Sequence, residues 1–213
     1  SCTTGIFLGP TTSWVNDNYF YNIDIDTPIY YGIYEGSLVG NIFDTSVKIN
    51  NKSIFYANTI SDTTINGENY GGIIIKNGDT LVIENFELYN QGIILGNVRN
   101  SIIRNNKLKG SYPYGVGIYL REENYYSSYN QITDNIIENF NDGIMVSYSR
   151  NNVIRNNILK SNNNGAYVYD AINQTIKNNV FDNNGYGLNG GLTSGNIIQN
   201  NIFVNNSFYA HYD

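Results

Sequence analysis

Isolated isoleucine and valine residues alternate with polar residues along most of the chain, and asparagine and glycine interrupt them every few positions. The segment RNNVIRNNILKSNNNG at 150–165 is typical. Because successive side chains of a strand point to opposite faces, this alternation indicates short β-strands rather than helices. Asparagine is unfavourable inside helices and ordinary strands, so its abundance between these strands needs an explanation of its own.

The pattern repeats with a period of 22 residues in the C-terminal part of the chain. Four successive blocks align without a gap: SYNQITDNIIENFNDGIMVSYS (128–149), RNNVIRNNILKSNNNGAYVYDA (150–171), INQTIKNNVFDNNGYGLNGGLT (172–193) and SGNIIQNNIFVNNSFYAHYD (194–213). The aligned columns contain Ile132, Ile154, Ile176 and Ile198, then Asn135, Asn157, Asn179 and Asn201, and then Gly143, Gly165 and Gly187. A fixed period of this length is the signature of a solenoid.

Each block predicts one turn of a right-handed parallel β-helix, with two or three short strands joined by tight bends. Equivalent residues of successive turns would then stack about 4.8 Å apart. An inward asparagine at a bend could hydrogen-bond the asparagines above and below it, and asparagine tolerates the left-handed backbone of a bend. We therefore expect the asparagine column to form a ladder, and the glycines to supply positive φ angles where the next strand begins.

The whole chain is predicted to be one all-β domain of eight or nine turns. Its predicted parts are an N-terminal cap with a first turn (1–36), irregular turns (37–98), a turn with loop insertions (99–127) and the regular 22-residue turns (128–213). The insertions are SYPYG at 111–115 and REENYYS at 121–127. No linker or run of charges divides the chain, so a single domain is favoured.

Composition narrows the classes of partner. The formal net charge is −6 and only 14% of the residues are charged. The chain has no basic patch, which argues against nucleic-acid binding, and no apolar run long enough to span a membrane. The one cysteine excludes an intrachain disulfide.

The turn pattern N-x-I-x-x-N-x-I…G-I-x-V resembles the right-handed parallel β-helix repeats of the carbohydrate-binding and sugar-hydrolase superfamily. That superfamily includes pectate lyases, polygalacturonases, alginate epimerases, tailspikes and microbial surface proteins. The resemblance covers 79–213 well and 19–78 loosely. It implies an extracellular location, on a cell or virion surface, and a polysaccharide or glycan as partner. The resemblance predicts the β-helix fold but no particular activity.

The catalytic motifs of the sugar-cleaving members are absent. The chain has neither the Asn-Thr-Asp, Asp-Asp and Gly-His-Gly motifs of polygalacturonases nor the Tyr-Gly-x-Asp-Pro-His-Asp motif of alginate epimerases. If the protein is an enzyme, we expect its site beside the insertions at 111–127. The candidate catalytic residues there are Arg121, Glu122, Asp142 and Tyr148. We expect no cofactor and no metal site, with Ca²⁺ entering only if the protein is a lyase.

A column of outward residues suggests a contact surface. In the strand that follows each glycine, the middle residue is expected to point outward. Those residues are Tyr34, Ile74, Ile94, Tyr119, Met145, Tyr167, Asn189 and His211. The candidate binding residues are Tyr34, Tyr114, Tyr119, Met145, Tyr167 and Tyr169. Tyrosine rings stack on sugar rings and their hydroxyls bond sugar hydroxyls; alternatively, the N-terminal segment or 121–127 covers the column.

Three functions follow from these observations. The first is a non-enzymatic extracellular β-helix that binds glycan, or assembles with copies of itself, through the aromatic column. The second is a polysaccharide lyase, epimerase or glycoside hydrolase. The third is a purely structural filament or spacer subunit, which stacks end to end through open coil edges.

Overall fold

The structure is a computed structural model that describes residues 4–8, 19–25, 31–35, 42–111, 113–121, 127–191 and 194–212. Within these ranges the secondary structure is almost entirely β, with one short 3₁₀ turn at Gly67–Asn69. No helix in the described part of the chain has the length and apolar character that a membrane span requires.

Three long sheets run along the molecule. The main sheet contains, in spatial order, β3 (Asp24–Ile25), β6 (Lys48–Ile49), β7 (Lys52–Ala57), β10 (Gly72–Ile75), β14 (Ile93–Gly96), β18 (Val116–Arg121), β21 (Asp142–Ser147), β24 (Asn164–Tyr169), β27 (Tyr186–Gly190) and β30 (Phe208–Tyr212). The second sheet contains β9 (Thr64–Asn66), β12 (Val82–Glu84), β16 (Ile102–Arg104), β19 (Gln131–Thr133), β22 (Val153–Arg155), β25 (Thr175–Lys177) and β28 (Ile197–Gln199). The third sheet contains β13 (Glu87–Tyr89), β17 (Lys107–Lys109), β20 (Ile136–Glu138), β23 (Ile158–Lys160), β26 (Val180–Asp182) and β29 (Ile202–Val204).

The remaining strands form smaller sheets. A three-stranded sheet contains β8 (Ile60–Ser61), β11 (Gly78–Asp79) and β15 (Val98–Arg99). Two separate pairs join β1 (Thr4–Leu8) to β4 (Tyr31–Glu35) and β2 (Tyr19–Phe20) to β5 (Ile42–Phe43).

From β7 onward the chain passes through the three long sheets in a fixed order, and the strands within each of these sheets pair in parallel. The predicted parallel β-helix is therefore confirmed, with its repeat of about 22 residues. The coil has about seven turns, starting at β7, so the predicted eight or nine turns are too many. β6 pairs with β7 in the antiparallel direction, so the chain reverses direction there and the regular succession of parallel strands begins at β7.

Stacked aliphatic side chains fill the interior of the coil. Ile132 pairs with Ile154, and Ile154 with Ile176, and all three side chains have no exposed surface. Each fully buried isoleucine contributes about 1.5–3 kcal/mol of hydrophobic stabilisation relative to exposure. Because the same residue type recurs at the same point of every turn, each turn supplies a complementary surface to the next.

The predicted asparagine ladder is present. The Nδ2 atoms of Asn135 and Asn157 each donate to the Oδ1 of the rung 22 residues later, at 3.0 Å. The same Oδ1 atoms also accept the backbone N–H of the preceding rung, at 3.0 Å for Asn135 to Asn157. Two further ladders, which were not predicted, run through other corners of the coil. They contain Asn130 and Asn152, and Asn162, Asn184 and Asn206.

The structure also explains why asparagines occur in pairs. In the pairs 156–157 and 178–179 the second residue is a buried rung, such as Asn157, whereas the first residue takes a left-handed backbone. Asn156 has φ 58° and Asn178 has φ 56°, and both side chains are exposed. One asparagine therefore turns the chain, and the next satisfies the buried backbone groups that the turn leaves open.

The glycine column has a different role from the one predicted. Gly143 and Gly165 do not have positive φ angles. A Cβ atom on Gly165 would lie 2.5 Å from the carbonyl oxygen of Gly187 and 2.6 Å from the Phe181 ring. Glycine is required there because adjacent turns approach too closely for a side chain.

Candidate functional site

The outer face of the main sheet divides into a covered half and an accessible half. Ile74 and Ile94 are 1% and 2% exposed, although both were predicted to face solvent. They belong to a second apolar cluster, which they form with residues of the N-terminal segment (described residues 19–25 and 42–49). Ile25, Phe43 and Val47 are among these residues. For this half of the column, the interpretation as structural cover is correct.

The accessible half carries the predicted aromatic residues. Tyr119 pairs with Met145, and Met145 with Tyr167, so three side chains line up across β18, β21 and β24. All three are half-buried, whereas Tyr169 and Tyr148 are exposed by 43% and 46%. We call these five residues the tyrosine strip. Because Tyr167 and Tyr169 occupy alternate positions of one strand, they face the same side of the sheet.

The rings of the strip are mutually oriented. The rings of Tyr167 and Tyr169 are nearly parallel, with an interplanar angle of 5° and centroids 6.4 Å apart. Tyr148 meets Tyr169 edge to face at 5.5 Å. A hydrogen bond between the side chains of Tyr148 and Tyr169 raises the pKa of Tyr148. These contacts restrict the rings in the absence of any ligand, which lowers the entropy cost of binding one.

Arg121 lies at one edge of the strip. Its guanidinium carbon is 5.3 Å from the centroid of the Tyr119 ring, a cation–π contact. It pairs in register with Ser147, one strand further along the sheet. Arg121 therefore adds a positive charge beside an aromatic ring, and the guanidinium stiffens the Tyr119 ring.

Asp142 lies beside the strip and is only 8% exposed. Its carboxylate accepts hydrogen bonds from Nδ2 of Asn164 at 2.7 Å and from Nδ2 of Asn141 at 2.9 Å. Asn164 in turn accepts from Nδ2 of Asn189 at 2.8 Å. Burial raises the pKa of Asp142, and the two amide donors oppose that rise. Asp142 is therefore a buried carboxyl group at one end of a hydrogen-bonded row that continues through the amides of Asn164 and Asn189.

The other predicted residues have different positions. Tyr114 is 42% exposed, and its carbonyl oxygen accepts the N–H of Asn141, next to Asp142. Glu122 lies outside the described residues. Tyr34 lies in β4, which pairs with β1 in a separate sheet.

Tyr56 and Asn164 were not predicted to lie at this site. Tyr56, not Tyr34, pairs with Ile74 in the main sheet. The 22-residue period contained the signal for Asn164, because it places Asn164 directly after Asp142 in one column. No regular spacing connects Tyr56 with the later turns, so its position required the structure.

Comparison with protein families shows a relationship to a described family, which the geometry alone does not reveal. Residues 37–213 match the family model described as periplasmic copper-binding protein (NosD). The chain belongs to the NosD family. No curated protein and no solved structure matches the chain significantly. Membership supports the parallel β-helix resemblance at the level of the fold, and it does not extend to the pectate-lyase-like or carbohydrate-binding members.

The family description corrects one expectation and supports another in part. We expected no cofactor, and this is wrong, because the NosD family is described as copper-binding. The family is also described as periplasmic, which agrees with the predicted extracytoplasmic location at that coarser level. The description does not test the predicted location on a cell or virion surface.

The described side chains do not assemble a copper site. Copper prefers thiolate, thioether and imidazole ligands, and the chain has one cysteine, one methionine and one histidine. Met145 and His211 lie on the same sheet, but Tyr167 and Asn189 pair in register between them. Three strand spacings, about 14 Å, therefore separate their backbones. Cys2 lies outside the described residues, which contain no cluster of three or more histidine, cysteine, aspartate or glutamate side chains.

Proposed function

We propose that this NosD-family chain is a periplasmic, non-enzymatic β-helix that binds a glycan along the tyrosine strip. The observation that carries the proposal is the row of Tyr119, Met145 and Tyr167 on an accessible sheet face, with Tyr169 and Tyr148 beside it. The N-terminal segment covers the same face over Ile74 and Ile94, and the strip lies beyond those two strands.

The chemistry of the strip suits a sugar chain. Aromatic faces stack on the C–H faces of sugar rings, while tyrosine hydroxyls and amide groups bond their hydroxyls. Neighbouring strands of the strip are about 4.8 Å apart, so the side chains of Tyr119, Met145 and Tyr167 present a nearly continuous ledge. The amides of Asn164 and Asn189 lie next to this ledge and supply polar contacts.

A glycan array with the purified chain tests the proposal, followed by calorimetry on the best ligand. In the double variant Tyr119→Ala/Tyr167→Ala we expect affinity to fall roughly tenfold or more, because each aromatic contact contributes about 0.5–1.5 kcal/mol. Tyr21→Ala is a matched control, since Tyr21 is 59% exposed on the N-terminal segment. Thermal unfolding checks that both variants fold.

Two results would contradict glycan binding by the strip. One is an array on which no glycan binds. The other is binding that the double variant retains in full. If the chain instead self-associates in sedimentation experiments and the double variant does not, the strip is an assembly surface between copies.

Asp142 favours a second candidate, an enzyme that cleaves or isomerises a polysaccharide. Its buried carboxyl group has a raised pKa beside an accessible aromatic ledge, as expected of a general acid. Under this candidate Arg121 would neutralise a substrate carboxylate. An assay for reducing ends and unsaturated uronates tests it, and turnover that Asp142→Asn abolishes would favour the enzyme over the binding module.

The geometry gives the filament candidate less support. Head-to-tail stacking requires an open edge at both ends of the main sheet. At the N-terminal end, the edge strand of this sheet is β3, which has only two residues and offers few backbone groups to a neighbouring molecule. We therefore do not favour a stacked filament over the binding module.

A further inference from the structure

A groove on another face of the coil separates the N-terminal segment from the third sheet. It consists of two adjoining depressions of about 440 Å³ and about 220 Å³ that share Asn50 and Tyr89. The larger is lined by Asn50, Tyr89, Asn90, Lys109, Gly110 and Ser111. The larger depression alone falls within the usual volume range of small-ligand sites, about 300–1,000 Å³.

Two distant parts of the sequence form the walls of this groove. Asn50 belongs to the turn between β6 and β7, in which Asn50 and Asn51 both have positive φ angles. Nδ2 of Asn50 donates to the carbonyl oxygen of Tyr89 at 3.4 Å, which joins the turn to the end of β13. The turn at Asn50 therefore forms one wall of the groove, and the coil residues from Tyr89 to Ser111 form the other.

Tyr89 is an exception in its column. The next four residues in register are charged: Lys109, Glu138, Lys160 and Asp182. Tyr89 is instead an aromatic residue, 51% exposed, at the point where the two depressions meet. Its hydroxyl donates to the Glu87 carboxylate at 3.2 Å. This bond holds the ring in place, so the ring face is preorganised for stacking.

Polar groups surround the ring and their charges balance. The Lys109 ammonium lies 3.2 Å from the Glu138 carboxylate, and Glu87 and Lys52 line the smaller depression. The Ser111 hydroxyl donates to Oδ1 of Asn90 at 2.6 Å. A clamped aromatic ring surrounded by paired donors and acceptors, with no excess of either charge, fits a neutral polyhydroxylated ring.

We propose that the Tyr89 groove is a second binding site, and that it takes a neutral hexose unit of an oligosaccharide. Tyr89 stacks on the sugar ring, while Asn50, Asn90, Lys109 and Ser111 bond its hydroxyls. The groove lies on a different face from the tyrosine strip and does not depend on binding there.

Calorimetric titration with cellohexaose and maltohexaose, with hexagalacturonate as the acidic comparison, tests this site. We expect a neutral hexasaccharide to bind, and Tyr89→Ala to weaken that binding roughly tenfold. Tyr89→Phe should retain most of it, because the ring remains when the hydroxyl is lost. The strip variant Tyr119→Ala/Tyr167→Ala should leave this binding measurable, and Tyr21→Ala should not change it.

The outcomes separate the two sites. Loss of neutral-sugar binding in Tyr89→Ala but not in the strip variant supports the groove, even if the strip binds nothing. Loss only in the strip variant overturns the groove and supports the strip. Binding of hexagalacturonate alone, or of none of the three sugars, overturns the groove proposal.

Discussion

The asparagine ladder makes a quantitative prediction at Asn157. This side chain has no exposed surface and makes five hydrogen bonds. The two hydrogens of its Nδ2 are shared among three acceptors: Oδ1 of Asn179 at 3.0 Å and the carbonyl oxygens of Ile132 and Arg155 at 2.9 and 3.0 Å. Its Oδ1 accepts both the backbone N–H and the Nδ2 of Asn135, each at 3.0 Å.

The substitution Asn157→Ala removes all five bonds without giving water access. The backbone N–H of Asn135 then loses its acceptor while it stays buried, and an orphaned buried donor costs about 1–3 kcal/mol. The void left by the amide adds about 1 kcal/mol. We therefore expect the free energy of unfolding to fall by about 2–4 kcal/mol.

The neighbouring Asn156 provides a matched control. It has φ 58° and an exposed side chain, so its role is to adopt the left-handed backbone. Asn156→Gly should stay within about 1 kcal/mol of the wild type, because glycine adopts that conformation without strain.

Urea unfolding followed by far-UV circular dichroism measures both variants. A change in midpoint at unchanged slope reports the change in stability. If Asn157→Ala costs no more than Asn156→Gly, the ladder is not a source of stability and the reasoning fails.

Three further predictions concern substitutions at single positions, and urea unfolding measures the effect of each. Gly165→Ala should cost about 1–3 kcal/mol, because the new Cβ would lie 2.6 Å from the Phe181 ring; an unchanged midpoint would contradict close packing of the turns. Burial raises the pKa of Asp142 above 3.8, so its contribution to stability is present below pH 3.8 and lost as pH rises through the raised pKa. The wild type should therefore lose stability relative to Asp142→Asn between pH 4 and neutral pH, and parallel pH profiles would refute this. Oε1 of Gln174 is buried without a hydrogen-bond partner among the described residues; Gln174→Asn should restore a rung that accepts the N–H of Asn152 and gain about 1 kcal/mol, and a loss of stability would count against the ladder geometry.

Much of the fold could be predicted from the sequence because each turn interacts mainly with its neighbours. Ile154 packs between Ile132 and Ile176, one period away on either side, so aligned columns reveal contacts directly. The same logic located the ladder through Asn157. The tyrosine strip was also visible, since Tyr119, Met145 and Tyr167 occupy one column of the period.

The N-terminal segment lacks the regular 22-residue spacing, since its paired strands lie 23 to 27 residues apart, and the sequence could not place it against the coil. This segment covers Ile74 and Ile94, and its turn at Asn50 contacts Tyr89. Both arrangements depend on residues far apart in the sequence, and the repeat spacing does not predict them. For that reason the buried half of the outer face and the Tyr89 groove emerged only from the structure.

The sequence by itself determined the coil, because a repeated pattern of isoleucine, asparagine and glycine can satisfy its buried apolar surface and backbone groups only by stacking on copies of itself. The tertiary structure alone decided which parts of the coil surface stay accessible. Accessibility depends on where the N-terminal segment packs. That packing depends on contacts between side chains far apart in the sequence, such as Ile25 with Ile74 and Ile94, and no local sequence pattern specifies them. The same distinction explains why the repeat identifies the architecture, whereas the candidate binding sites lie where the repeat meets residues outside it.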